Sequence, residues 1–402
     1  MAGKRWTVVF ASLVALTVGP TSIIIYTQGL FLGPLTHAFG WSRSAYFSAL
    51  LVGGLAGAIA TPLAGRLLDR FGVRAVLIPG ILLFAAANAA LGLIGGALSA
   101  YLALSALVAV AGVVQGPLSY AKAIAGWFDR RRGLALAVAL SGTGLGGVFV
   151  PPLTAWLIHD YGWRGARFGL AAVVAIVALP MAIAFVREPD TARRAATGDV
   201  TVLEGVTPRD AIATRTLWLL VLAFLLSSLV VNGVLANLVP LVASGGAAPW
   251  LATAALSSLA IGQIVGRILS GVLLDRIQSA RIGVVWYASA ILGLLAIGSV
   301  HAAPFLLVAS ALIGAAVGAE LEMAAVFTTR FFGRRHFGTI NGIIFAAYLV
   351  GAAIGPVLAS MLVTGDGSYG RVIVAGVAVL AVAALALFAT GSYRYLPAPD
   401  PA

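Results

Sequence analysis

Gly65-Arg66-Leu67-Leu68-Asp69-Arg70-Phe71-Gly72-Val73-Arg74 closes one long apolar run, and Gly271-Val272-Leu273-Leu274-Asp275-Arg276 closes another 206 positions later. A second echo, at an offset of 205, pairs Gly133, Gly146 and Pro151 with Gly338, Gly351 and Pro356. Two correspondences at nearly one spacing mark an internal duplication. The chain is 61% hydrophobic and 9% charged, and its apolar runs repeatedly reach the roughly 20 residues that cross a bilayer as a helix. They predict twelve spans, near 7–34, 44–67, 74–96, 99–126, 132–158, 165–186, 216–242, 250–274, 281–300, 303–329, 337–363 and 369–393. The expected fold is an all-α membrane protein whose twelve transmembrane helices form two pseudo-symmetric six-helix bundles. The longest polar stretch, with Pro189, Gly198, Gly205 and Pro208, separates a bundle at 1–187 from one at 216–402, so 188–215 reads as a cytoplasmic linker with a short interfacial helix near 208–214.

The formal net charge is +12, and its placement argues against a polyanionic partner. With the N-terminus inside, nineteen of the 25 Lys and Arg fall at cytoplasmic ends of spans. Arg43, Arg164, Arg167 and Arg371 fall at the opposite ends, and Lys122 and Arg267 fall within spans. This bias obeys the positive-inside rule and places both termini in the cytoplasm of a cell that inserts the chain in its inner membrane. No soluble basic face exists to bind nucleic acid. The first apolar segment is too long for a removable signal peptide and lacks a cleavage site, so it is expected to be retained.

The chain has no cysteine, which excludes thiolate metal sites. His37, His159, His301 and His336 all fall at span ends, too scattered for a metal centre. No nucleophile and base constellation is present, and the glycine-rich run at 142–147 lies inside a span, where small-residue helix packing explains it better than phosphate binding. Enzyme chemistry, a metal and a cofactor are therefore not expected.

Arg267 is the informative charge. It sits inside the apolar run 251–274 with no acid in the preceding eleven residues. An arginine at that depth costs at least about 2.5 to 3.5 kcal/mol on insertion scales, and such residues face a bundle interior or a watery cavity on a substrate or ion path. Its planar fork suits a carboxylate. Glu320 and Glu322, in the tenth span, are the acids able to brace it. They face roughly 200° apart on a helix and cannot line one groove. One is expected to pair with Arg267 and the other to take up a proton, because a carboxyl group that has lost its water can couple proton uptake to anion movement. The alternative is that both brace helices near Arg330, Arg334 and Arg335. Lys122, close to Trp127, is expected to snorkel to the cytoplasmic surface. Asn232 and Asn237 read equally as helix glue or as pocket donors.

The motifs carry a family resemblance. The loop from Gly65 to Arg74 resembles the G-x-x-x-D-R-x-G-R-[RK] signature of the major facilitator superfamily, with Val73 where a basic residue is usual and, in the second copy, Gln278 where glycine is usual. The resemblance implies the fold just described, a monomeric carrier and a gate containing Asp69, Arg70, Arg66, Asp275 and Arg276. Trp127-Phe128-Asp129-Arg130-Arg131-Arg132-Gly133-Leu134-Ala135, then Gly318-Ala319-Glu320-Leu321-Glu322 and Arg330-Phe331-Phe332-Gly333, resemble stretches of the monocarboxylate and oxalate/formate porters. In those families an eighth-helix arginine holds the carboxylate, and Arg267 matches it. Tyr120 resembles a pocket tyrosine of bacterial monocarboxylate porters. The departures are informative. Gln263 stands where animal porters have aspartate, the first span offers Tyr26, Thr27 and Gln28 where they have lysine, and Tyr348 stands where oxalate porters have lysine. Arg267, Tyr120, Gln28, Tyr26, Gln263, Asn232 and Tyr348 are thus the candidate substrate contacts, and Glu320 and Glu322 the candidate proton carriers. The expected function is proton-coupled transport of a small monocarboxylate such as lactate or pyruvate. A pump for lipophilic compounds and an exchanger of aromatic acids or dicarboxylates are the alternatives.

Overall fold

The computed structural model describes residues 2–128, 131–189, 204–244, 249–299, 303–363 and 368–395. Asp129 and Arg130 of the expected motif, His301 and half of the expected linker, 190–203, lie outside the described residues. The described chain is almost entirely helical. Its elements are α1 (Ala2–Thr17), a π-helical turn (Thr21–Ile25), α2 (Gln28–Phe39), α3 (Arg43–Phe71), α4 (Val73–Leu91), α5 (Leu98–Gln115), α6 (Pro117–Trp127) and α7 (Arg132–Val173). After a second π-helical turn (Val174–Ala178) follow α8 (Leu179–Ala184), α9 (Pro208–Ile212), α10 (Arg215–Ser244), α11 (Pro249–Arg276), α12 (Ile282–Ser299), α13 (Ala303–Phe332), α14 (Phe337–Leu362) and α15 (Gly370–Phe388).

Ten stretches among the described residues are long and apolar enough to cross a membrane, with the shorter apolar helix Ile282–Gly298 beside them. The stretch Arg132–Ala184 holds two crossings, because Gly162 takes a non-helical conformation with φ 68° inside it. Only glycine accepts that backbone without strain, so one residue does the work of the expected inter-helix turn. The first span differs from expectation. Pro20 and the π-helical turn interrupt it, and α2 carries the chain on to Phe39, where Gly40 closes the helix in a left-handed cap. Proline has no amide hydrogen to donate, so a proline within a span favours such an interruption.

The helices divide into two compact units. Unit 1 contains Met1–Asp129, Val138–Gly205 and Arg334–Gly342, and unit 2 contains Arg130–Ala137, Val206–Gly333 and Ile343–Ala402. The first turn of α14 thus belongs to unit 1, and the first turns of α7 belong to unit 2.

In unit 2 the tightest pairing joins α11 to α13. A Cβ on Gly262 or Gly266 would strike the backbone of Ala311 or Ala315, and one on Gly314 or Gly318 would strike that of Leu259 or Gln263. Two reciprocal small-xxx-small seams bring the helix axes close enough for van der Waals contact and polar side chains to hold them without any hydrophobic drive in lipid. Unit 1 uses the same device where Gly142 meets the backbone of Leu13. Replacing Gly314 with valine is expected to destabilise the protein by about 1–3 kcal/mol through overpacking, read as a lowered thermal midpoint in detergent; an unchanged midpoint would show that the seam yields.

Candidate functional site

The α11 and α13 seam positions a buried cluster of charges in unit 2. Arg267 is 3% exposed, and its Nε lies 3.0 Å from Glu322 Oε1 and donates to the Gly318 carbonyl at 3.3 Å. Gly318 allows this because its missing side chain lets the Arg267 turn of α11 approach the α13 backbone. Breaking such a buried ion pair by removing one partner costs about 3–5 kcal/mol, since the survivor is left as an uncompensated charge. Glu322 is fully buried, and so is Glu320, on another face of α13. Glu320 Oε1 accepts a hydrogen bond from Ser227 of α10, while its second oxygen has no hydrogen-bond partner among the described residues. The buried hydroxyl of Tyr287, on α12, stands beside Ser227 and within electrostatic range of Glu320. Ser227 and Tyr287 were not legible as site residues; each is a hydroxyl in a predominantly apolar run.

The remaining unit 2 candidates gather about Ser228. Its hydroxyl donates to the Tyr348 carbonyl at 2.7 Å and lies 3.2 Å from Asn232 Nδ2, which also donates to the Ser228 carbonyl at 3.0 Å. Tyr348 stacks on Phe345 with centroids 5.5 Å apart. Asn237 donates to its own helix at Gly233, 2.9 Å away. Gln263 contributes backbone to the glycine seam, and its side chain is half-buried. A cavity of about 300 Å³ elsewhere in unit 2 is lined by Leu229, Val234, Leu358, Met361 and Val372 among other apolar residues. It offers an anion no donor.

In unit 1, Tyr26 is half-buried with its ring against Gly147. Tyr120 is fully buried, and its hydroxyl has no hydrogen-bond partner among the described residues. Gln28 is buried and its carbonyl accepts from Tyr46 Oη at 2.7 Å.

The two aspartates of the repeated loop do equivalent work. In unit 1, Asp69 Oδ1 accepts from Gly338 N at 2.8 Å, and Oδ2 accepts from Thr339 N and Thr339 Oγ1, both at 2.7 Å. In unit 2, Asp275 Oδ1 accepts from Gly133 N at 2.7 Å and Oδ2 from Leu134 N at 3.0 Å. Each carboxylate therefore caps the first turn of a helix, where free amide hydrogens and the helix dipole favour a negative charge. Gly65 abuts Gly338 and Gly271 abuts Gly133, so closely that a Cβ on any of the four would strike the opposing backbone. Those are the glycines of the two sequence echoes. Arg66, Arg70 and Arg276 are exposed, with Arg70 over the Phe71 ring at 5.3 Å. The acids, rather than these arginines, make the interhelical contacts.

Lys122 corrects an expectation. It does not snorkel to the surface: its Nζ lies 2.8 Å from Asp69 Oδ1 and donates to the Leu68 carbonyl at 2.6 Å. An acid supplied by α3 outweighs the pull of water. His336, in the turn before α14, stands near Asp69, Arg335 and Lys122. Burial pushes its pKa below the ordinary 6.5, Asp69 pulling the other way and the two cations adding to the fall.

Arg167 is expected at the non-cytoplasmic end of a span, and there it is buried, with its guanidinium 3.8 Å from the centroid of Phe31.

Comparison with known proteins places these features. The model of the Major Facilitator Superfamily matches residues 14–303. The 3-(3-hydroxy-phenyl)propionate transporter of Escherichia coli (strain K12) is 26% identical over 406 residues, covering 96% of this chain and 96% of the relative. Monocarboxylate transporter 12 of Mus musculus is 27% identical over 285 residues, covering 63% of this chain and 59% of its own length. Among solved structures, the human organic anion transporter MFSD10 superposes with a TM-score of 0.70 at 16% identity, covering 96% of this chain and 99% of that one. The proton:xylose symporter XylE gives 0.71 at 14% identity, covering 96% and 95%. At those identities the structures share the fold.

Removing the Asp275 cap with alanine is expected to cost about 0.5–2 kcal/mol, the usual worth of a helix cap. Asp69→Ala is expected to cost more, since Lys122 loses its ion pair as well; equal thermal midpoints for the two variants would contradict this. For His336, the depressed pKa means that the folded state resists protonation. Its contribution is complete above pH 6.5 and is lost as pH falls through the depressed value. Thermal midpoints measured from pH 7.5 to 5 should fall less steeply in His336→Gln than in the parent.

Proposed function

The chain belongs to the Major Facilitator Superfamily, and from that membership we propose that it carries a small organic monocarboxylate, such as lactate or pyruvate, together with a proton. It is a multi-pass membrane transporter of small organic substrates and not an enzyme. The observation that supports the anion reading is the buried Arg267, held 3.0 Å from Glu322.

A carboxylate leaving water needs a fixed cation and hydrogen-bond donors in place of its hydration. In the proposed cycle Glu322 occupies Arg267 while the site is empty. A proton taken up through Glu320 and Glu322 neutralises the acid partner, and the guanidinium then binds the carboxylate. When the anion leaves, Glu322 returns its proton and recloses the pair. Anion and proton move together, so the step carries no net charge. Tyr120, Gln28, Tyr26, Gln263, Asn232 and Tyr348 are the proposed further substrate contacts. Asp69 and Asp275, with Arg66, Arg70 and Arg276 at the same loops, are the proposed gate. Its caps break and re-form as two six-helix bundles, 1–187 and 216–402 joined by the linker 188–215, alternate in access. The protein is proposed to work as a monomer in the cell inner membrane with both termini cytoplasmic.

An aromatic acid would use the same arginine, and the full-length match to a relative named for 3-(3-hydroxy-phenyl)propionate favours that substrate within the class. The apolar cavity lined by Leu229, Val234 and Leu358 favours the other reading, a pump for lipophilic compounds. Uptake into proteoliposomes separates them. An inward proton gradient should drive accumulation of radiolabelled lactate or 3-phenylpropionate, and Arg267→Ala should lower it at least about tenfold, the equivalent of 1.4 kcal/mol. Anion uptake that survives Arg267→Ala contradicts the proposal. Glu320→Gln should abolish gradient-driven accumulation while leaving exchange of labelled for unlabelled anion; equal loss of both would remove Glu320 from the coupling role.

A further inference from the structure

Unit 1 also contains a deep cation with no acidic counter-ion among the described residues. Arg167 lies five residues after the Gly162 break in α7, roughly 7.5 Å along the helix, and is 5% exposed. Its guanidinium carbon stands 3.8 Å from the centroid of the buried Phe31 ring of α2. The phenols of Tyr46 on α3 and Tyr101 on α5 lie within electrostatic range of it, and their rings stack at 5.7 Å. Tyr46 Oη is committed to the Gln28 carbonyl at 2.7 Å. The Tyr101 hydroxyl is grouped with Gln28, Ser105 and Tyr46. Trp41 covers Tyr101 with ring centroids 5.0 Å apart and is pinned by its indole N–H to the Gly96 carbonyl at 3.2 Å.

Among the described residues no carboxylate pairs with Arg167. Asp69 is taken by Lys122 and the α14 amides, Glu188 accepts from Val73 N, and Asp160 pairs with the exposed His159. The contrast with Arg267, whose charge Glu322 already balances, is direct. A buried cation is retained at large cost unless something negative meets it, and a π-face with two phenols offsets only part of that cost. The fork of a guanidinium beside a phenolic hydroxyl matches the two oxygens of a carboxylate. Phe31 and Trp41 supply apolar surface for whatever the carboxylate carries.

We propose that Arg167, with Tyr101 and the rings of Phe31 and Trp41, forms a binding site for a small organic carboxylate bearing an apolar tail, separate from the Arg267 site. Tyr46 and Asp69 lie on one helix, α3, separated by about 35 Å of helix at 1.5 Å per residue. The Arg167 site therefore belongs to the end of unit 1 remote from the Asp69 cap. It serves to take up the anion from that face of the membrane. The ligand class rests on the transport reading above; the site itself rests on the unbalanced charge.

The test uses the full chain in detergent, titrated calorimetrically with 3-phenylpropionate and, as an uncharged control, 3-phenylpropanamide. The parent should show two classes of site for the acid and no comparable binding of the amide. Arg167→Gln should remove one class, weakening it at least tenfold, and Arg267→Gln should leave that class in place. In proteoliposomes Arg167→Gln should raise KM about tenfold with kcat within twofold. If Arg167→Gln fails to fold, Arg167→Lys, which keeps the charge and loses the fork, should weaken the same class about fivefold. Isotherms unchanged by either Arg167 variant overturn this inference alone. Failure of the parent to bind any carboxylate overturns it together with the transport reading.

Discussion

Everything proposed for unit 2 depends on the ion pair between Arg267 and Glu322 in a seam too tight for side chains. The glycines at 262, 266, 314 and 318 bring α11 and α13 into backbone contact, and the pair closes that seam at 3.0 Å. In a lipid setting neither charge survives alone, so the two are bound to each other by the cost of separating them. That mutual dependence is what makes the pair suitable for transport. A carboxylate entering the site is chemically equivalent to Glu322, and a proton on Glu322 is the simplest event that vacates its place. Glu320, with a hydroxyl partner and no cation among the described residues, can gain or lose a proton without breaking an ion pair.

The duplicated loops carry a complementary constraint. Asp69 and Asp275 use the same two carboxylate oxygens to cap the first turn of a helix, and glycines at the crossing allow the carboxylate to reach the amides. Such caps are worth only a few hydrogen bonds each. Contacts of that size are strong enough to define a state and weak enough to be remade within a cycle. Lys122 pairs with one of them, while Arg330 and Arg132 stand within electrostatic range of the other, so the two loops are alike in geometry and differ in their cations.

Much of the fold was legible in the sequence because bilayer thickness imposes a length on apolar runs, and because the repeat placed Gly65, Gly133, Gly271 and Gly338 in register. Membership of the Major Facilitator Superfamily bears out the resemblance carried by the Gly65 to Arg74 loop. What escaped the sequence was rotation. Glu320 and Glu322 differ by two positions on one helix, and only the packing of α11 against α13 decides that Glu322 meets Arg267. Lys122 was read as surface-bound because its partner Asp69 comes from another helix. The sequence places Arg167 only at a span end, and its burial depends on rings supplied by α2, α3 and α5. Long-range pairing of this kind leaves no periodicity to detect. In Arg164 and Arg167, three residues apart beyond a glycine break, the only hint was a second cation where one would anchor the helix end.

The competition between Glu322 and a carboxylate for Arg267 can be measured by calorimetric titration of 3-phenylpropionate into the parent, Glu322→Gln and Arg267→Gln at pH 7.5. If the acid side chain occupies the substrate's place, Glu322→Gln binds the anion more tightly than the parent at this site, while Arg267→Gln loses this class of binding and keeps the one assigned to Arg167. Equal affinities in all three proteins would contradict the role assigned to the pair.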